Sequence, residues 1–143
     1  MKQVILILSL ITLTFCKSFA SDPVSTLVQK NFNAKFSGAT DVSWSQANGY
    51  AVAAFSQDGK RKYAYYNQSA DLVVVAEAIQ LQQLSEDQRS NLDENFSDYT
   101  VKEAYKMKNE DGIRYYLVLE NKKESIILNG VSAEWEIVKR TKK

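Results

Sequence analysis

Two dipeptides, Asn48-Gly49 and Asp58-Gly59, sit between runs that mix apolar and polar residues, and they restrict the fold more than any other feature. Asn-Gly and Asp-Gly favour the two-residue turn whose twist matches a pair of antiparallel strands. Tyr50–Gln57 and Lys60–Asn67 are therefore expected to pair about Asp58-Gly59. A turn of that length sets the register. Phe55 then faces Lys62, Ala53 faces Ala64 and Ala51 faces Tyr66 on one side, while Ala54 faces Tyr63 and Val52 faces Tyr65 on the other. The first side is small at its centre, so a helix can sit close on it. Ala51, Ala53, Phe55 and Ala64 are assigned to that core, with Tyr115, Leu117, Leu119, Ile126 and Leu128 as later counterparts. The side carrying Tyr50, Val52, Tyr63 and Tyr65 then faces away from the helices. An apolar, tyrosine-rich face open to water is a contact surface. The converse, with the tyrosine side as the core, stays open.

The rest of the chain surrounds this hairpin with helices and further strands. Asp22-Pro23 is expected to open a first helix, since Asp caps and Pro suits the first helical position. Val24, Leu27, Val28 and Phe32 then form one apolar stripe, and Gly38 is the stop. Asp41–Ser45 reads as a strand with Val42 and Trp44 on one side, and Leu72–Ile79 as a Val-rich strand. Ser85 and Gln88 make a capping box for a second helix on which Leu92 and Phe96 are apolar. Strands follow at about 100–108, 113–120, 123–129 and 132–139, with turns at Asp111-Gly112, Asn121-Lys122 and Asn129-Gly130. The order helix, strands, helix, strands reads as a loose repeat of about 60 residues. The expected fold class is α+β: tandem helix-plus-antiparallel-strand repeats, with the helices packed on one face of an antiparallel sheet. A single domain over 21–143 would hold two such repeats, about 22–80 and 84–140.

The start of the chain reads as an address. Lys2 is followed by Val4–Phe15, almost wholly apolar but shorter than the roughly 20 residues that span a bilayer. Ser18-Phe19-Ala20 supplies a small-x-small step, so residues 1–20 are expected to be a signal peptide cut after Ala20. Cys16 raises a lesser alternative, a lipid-attachment site, which Phe15 just before it does not favour. Removing residues 1–20 takes away Cys16, Lys2 and Lys17, and leaves a cysteine-free chain with one acidic residue in excess. That suits an oxidising compartment, periplasmic or extracellular. Near-zero charge argues against a nucleic-acid partner, and the mature chain has no membrane span. The basic run Lys139–Lys143 reads as a solvated chain end.

Chemistry is excluded more readily than assigned. The sequence contains no histidine, and its one cysteine lies in the leader. Ser-His-Asp and Cys-His catalysis, zinc sites of the His/Cys type, disulfides and haem or iron-sulfur ligation all fall away. No cofactor and no metal are expected. Carboxylate pairs remain conceivable for acid–base work, among them Asp41, Asp58, Glu77, Asp87, Glu103, Asp111, Glu120, Glu134 and Glu136, yet most fall in turns or point outward on strands. Asn109–Gly112 has a faint likeness to a calcium loop, but Met107 and Val118 at its ends cannot ligate, so it reads as a hairpin turn. Trp44 and Trp135 are the most informative aromatics. A strand tryptophan is more often partly buried than a ligand platform. An exposed Trp44 beside Tyr50, Tyr63 and Tyr65 could anchor a protein partner or stack on a sugar.

The stretch Phe36-Ser37-Gly38-Ala39-Thr40-Asp41-Val42-Ser43-Trp44, then Asn48-Gly49-Tyr50, a strand ending in Phe55, and Asp58-Gly59, resembles the PepSY-like family of secreted proteins from Gram-negative bacteria, described as β-lactamase-inhibitor-like. Gly-Ala-x-x-Val-x-Trp is its most specific part, and the resemblance covers roughly residues 24–140. Where family members often carry glycine after the third strand, this chain has Ser69-Ala70-Asp71. The resemblance implies a tandem α+β repeat and carries no catalytic residue set. It points to a non-enzymatic periplasmic or secreted binding or inhibitor-like module with a protein partner in the envelope. The alternative is a carbohydrate or small-ligand binder using the same aromatics, with a carboxylate-based hydrolase weaker still.

Overall fold

The structure, a computed structural model, describes residues 23–143. The signal peptide, its cut after Ala20 and the alternative at Cys16 lie outside the described residues. Strand accounts for 53% of the described chain and helix for 19%. Eight strands form a single antiparallel sheet in sequence order: β1 (Thr40–Ala47), β2 (Tyr50–Gln57), β3 (Lys60–Tyr66), β4 (Leu72–Ala78), β5 (Thr100–Asn109), β6 (Gly112–Glu120), β7 (Glu124–Gly130) and β8 (Trp135–Lys142). Among the described residues two α-helices accompany them, α1 (Thr26–Lys35) and α2 (Glu86–Asn95), with a short 3-10 turn at Leu81–Gln83. This corrects the expected tandem helix-plus-strand repeats. Each strand bonds to its sequence neighbours, so the order is that of one meander. The approximate period of the side chains is not a period of the backbone: β5 and β6 are longer than β1 and β2. By packing, the chain divides into two compact units at Val75/Ala76.

In the first unit, Asp58 (φ 55°) and Gly59 (φ 72°) both have positive φ, as do Asn48 (φ 49°) and Gly49 (φ 83°). These are the mirror-image turns that tighten a hairpin without splaying it. Phe55 pairs with Lys62, Ala53 with Ala64, Ala51 with Tyr66, Ala54 with Tyr63 and Val52 with Tyr65. The helix starts later than Asp22-Pro23 would place it: Ser25 is the cap, its hydroxyl accepting from Val28 N at 3.3 Å. Val28, Phe32 and Phe36 pack on Ala53, Phe55, Ala64, Tyr66 and Ala70. Asn31 ties α1 to the loop after β3, donating to Ala70 O at 2.9 Å.

In the second unit, Ser85 and Gln88 form the expected reciprocal cap of α2. Leu92 packs in a core with Leu84, Ala104, Leu117, Leu119, Ile126 and Leu128. The turn between β5 and β6 is Glu110-Asp111, closed by Asp111 N donating to Asn109 Oδ1 at 2.9 Å, and Gly112 already belongs to β6. Gly130 is likewise a strand residue. It pairs with Trp135, and a Cβ on it would lie 2.7 Å from the indole. The Trp135 ring thus lies against Gly130, and its Nε1 donates to Gln88 O at 3.0 Å, tying β8 to α2. Of the basic run read as a solvated chain end, residues 139–142 belong to β8, with Lys142 paired to Glu124.

Candidate functional site

Alternation along β2 and β3 sorts their side chains onto two faces. Ala51, Ala53, Phe55, Ala64 and Tyr66 point toward α1, so Tyr50, Val52, Ala54, Tyr63 and Tyr65 point away from it. Three of the four candidate residues, Tyr50, Tyr63 and Tyr65, are thereby brought to one face. Trp44 is not. It meets Phe32 edge-on with centroids 5.2 Å apart and Tyr66 at 6.3 Å, on the helix side. The Asn48-Gly49 turn decides this: Ala47 pairs with Tyr50, so Trp44 comes opposite Ala53, a core position. A bulge lies beyond it, where Asp41 has φ 51° and the register shifts between Thr40 and Ser43. Val42 stays exposed.

The tyrosine face is only partly open. Tyr50 and Tyr63 are half-buried, whereas Val52 (6% exposed) and Tyr65 (3%) are buried between them. Burial, and then the neighbouring Tyr63, push the Tyr65 hydroxyl up to about 12. The Arg61 guanidinium sits 5.9 Å from the Tyr63 ring centroid, within range of a cation–π contact. Arg61 also donates to Asp41 O at 3.3 Å. Sequence reading passed over Arg61, although its place two residues before Tyr63 on one strand put it on the same face. On the core side, the Tyr66 hydroxyl is buried with no hydrogen-bond partner and is also pushed up to about 12 by burial. In the second unit, β6 alternates in the same manner. Leu117 and Leu119 enter the core with Leu92, while Tyr116 and Val118 are buried on the other side of the strand.

The carboxylates weighed for acid–base chemistry include several held by partners. Asp58 pairs with Lys62 at 3.8 Å, Glu120 with Lys143 at 3.3 Å, and Glu103 accepts from the Tyr105 hydroxyl at 2.9 Å. Among the described residues no group of three ligating side chains converges on a metal position, and no helix is long and apolar enough to cross a membrane.

No family model matches the chain, and no curated protein matches its sequence. Solved structures do match in fold. A candidate periplasmic protein from Bacteroides eggerthii superposes with a TM-score of 0.74 at 15% identity, over 85% of this chain and 90% of that one. A DUF2874 family protein from Bacteroides uniformis gives 0.73 at 14% identity, over 84% and 90%. A BLIP-like protein from Bacteroides fragilis gives 0.68 at 17% identity, over 86% and 89%. At such identities the likeness is one of architecture: the chain has a BLIP-like fold.

Proposed function

We propose that the chain is a non-enzymatic, inhibitor-like binding module of the PepSY-like type, exported to the periplasm or the medium after a cut following Ala20. Its helix-distal sheet face contacts a protein partner of the envelope. One observation carries this reading: cross-strand pairing places Tyr50, Tyr63 and Tyr65 around Val52 on the face turned away from α1. Half-buried tyrosines over a buried apolar floor are the usual form of an interface anchor, because the ring brings large area at small entropic cost. The fold shared with a BLIP-like protein and a candidate periplasmic protein supports the same class.

The test is a paired measurement on wild type and Tyr63→Ser. Pull-down from envelope extract should lose most of its yield, since a hot-spot tyrosine is worth about 2 kcal/mol or more, roughly 30-fold in affinity. The thermal midpoint should hardly move, because Tyr63 does not support the Phe32–Phe55 core. Undiminished capture by the folded variant would reject this face. Retention by a glycan array, with no protein captured, would replace the protein partner by a carbohydrate.

A further inference from the structure

The turn between β6 and β7 is rigid. Asn121 Oδ1 accepts from Lys123 N at 2.9 Å and from Glu124 N at 3.0 Å, and Asn121 N donates to Glu124 O at 3.0 Å. The end of the chain is fixed beside it. Lys143 N donates to Lys123 O at 3.0 Å, and its ammonium bonds Glu120 at 3.3 Å. The start of β5 completes the surroundings, because Thr100 pairs with Glu120. These elements line an open depression of about 610 Å³ whose wall carries Lys102, Lys122, Lys123 and Lys143.

The volume is that of a small-molecule site. Its charge is one-sided: four lysines face two carboxylates, Asp98 and Glu120, and Glu120 is already paired with Lys143. The ammonium groups of Lys102, Lys122 and Lys123 have no ion-pair or hydrogen-bond partner among the described residues. Like charges gathered on a concave wall repel one another and concentrate anions there. Two neutral donors stand in the same wall, the Thr100 hydroxyl and the Asn121 amide NH2, whose oxygen is held by the turn. Asp98 supplies an acceptor, which suits a ligand carrying a hydroxyl as well as an anion.

We propose that this depression binds a phosphomonoester borne on a hydroxylated group. The three ammonium groups without partners suit a phosphomonoester, which carries about −1.5 to −2 at neutral pH. Lysine ammonium groups bind phosphate as point charges without demanding a planar ligand. The same headgroup chemistry occurs free in solution and on lipids. The site shares no residue with the tyrosine face and does not depend on the reading given to that face.

The experiment titrates glycerol 3-phosphate into the exported, 15N-labelled protein and follows backbone amide shifts. Saturable shifts should be confined to 98–102, 120–124 and Lys143, and Lys122→Met/Lys123→Met should weaken them about tenfold or more. Lys102→Met, on a different strand, should weaken them independently. All these side chains are exposed, so the thermal midpoints should stay unchanged. Sedimentation with phosphatidylinositol 4-phosphate vesicles, but not with phosphatidylinositol vesicles, would assign the phosphate to a lipid headgroup. Glycerol 3-phosphate binding without sedimentation would assign it to a free ligand. Shifts equal to those given by sodium chloride at matched ionic strength, or unchanged in both lysine variants, would overturn the proposal.

Discussion

Phe55 has aromatic neighbours on two sides, Phe32 edge-on at 5.0 Å and Phe36 at 4.8 Å, and it is fully buried. Removing the ring leaves a void that α1 cannot fill, so Phe55→Ala should cost about 3–5 kcal/mol by urea unfolding. A loss under about 1 kcal/mol would be that of a surface position. Ala70 makes a subtler case. Its φ is 65°, a conformation that strains any residue with a Cβ. Ala70→Gly deletes a buried methyl but relieves that strain, so the two effects should cancel to within about 1 kcal/mol. Ala53→Gly, on a regular strand, lacks the compensation and should be the more destabilising by the same assay. The alternation of β2 and β3 was legible because one turn sets every pairing beyond it. The same rule at Asn48-Gly49 pairs Ala47 with Tyr50 and so sets Trp44 opposite Ala53 in the core; grouping Trp44 with the tyrosines left that register uncounted along β1. The bulge at Asp41 was not legible, because a left-handed residue is a backbone event and aspartate is no unusual residue before a strand.

At the scale of elements, caps proved as decisive as stripes. The Ser85/Gln88 pair was readable because both partners of a capping box are visible in sequence. The start of α1 was misplaced because Asp22-Pro23 and Ser25 both resemble starts, and only the hydroxyl of Ser25 reaches Val28 N. The last strand was expected at about 132–139, and its extension to Lys142 was missed for a different reason. Its basic residues look like a solvated tail, and the contacts that order it, Trp135 on Gly130 and Arg140 on Glu124, are distant in sequence. Glu124 accepts from the Tyr99 hydroxyl and from Arg140 Nη1, joining β7, β8 and the entry to β5. The Tyr99 hydrogen bond first, and then Arg140, hold its carboxyl below the usual 4.5. A carboxylate that is more acidic in the folded protein contributes stability above its unfolded value and loses it as pH falls through the folded one. Glu124→Gln should therefore be less stable than wild type at pH 7, with the gap closing below about pH 4, as followed by denaturant midpoints across pH. A gap independent of pH would mean that the ion pair contributes nothing.

At the scale of the whole molecule, the export reading has a direct check. The intact mass of protein recovered from periplasm or medium should correspond to a chain beginning at Ser21, and a lipid-modified product beginning at Cys16 would contradict it. A sheet of eight strands, rich in Val, Ile, Leu and Tyr, also raises a question: what stops two copies from joining edge to edge? The order of strands leaves β1 and β8 with one unpaired side each. The first is kinked by the bulge at Asp41, and the second carries Lys139, Arg140 and Lys142, all exposed, with its own register slip opposite Ile127 and Leu128. A bent margin offers no straight ladder to an incoming strand, and a cationic margin repels its own duplicate. The residues that make the last strand look like a disordered tail in sequence are the ones that keep the sheet from growing into a fibre.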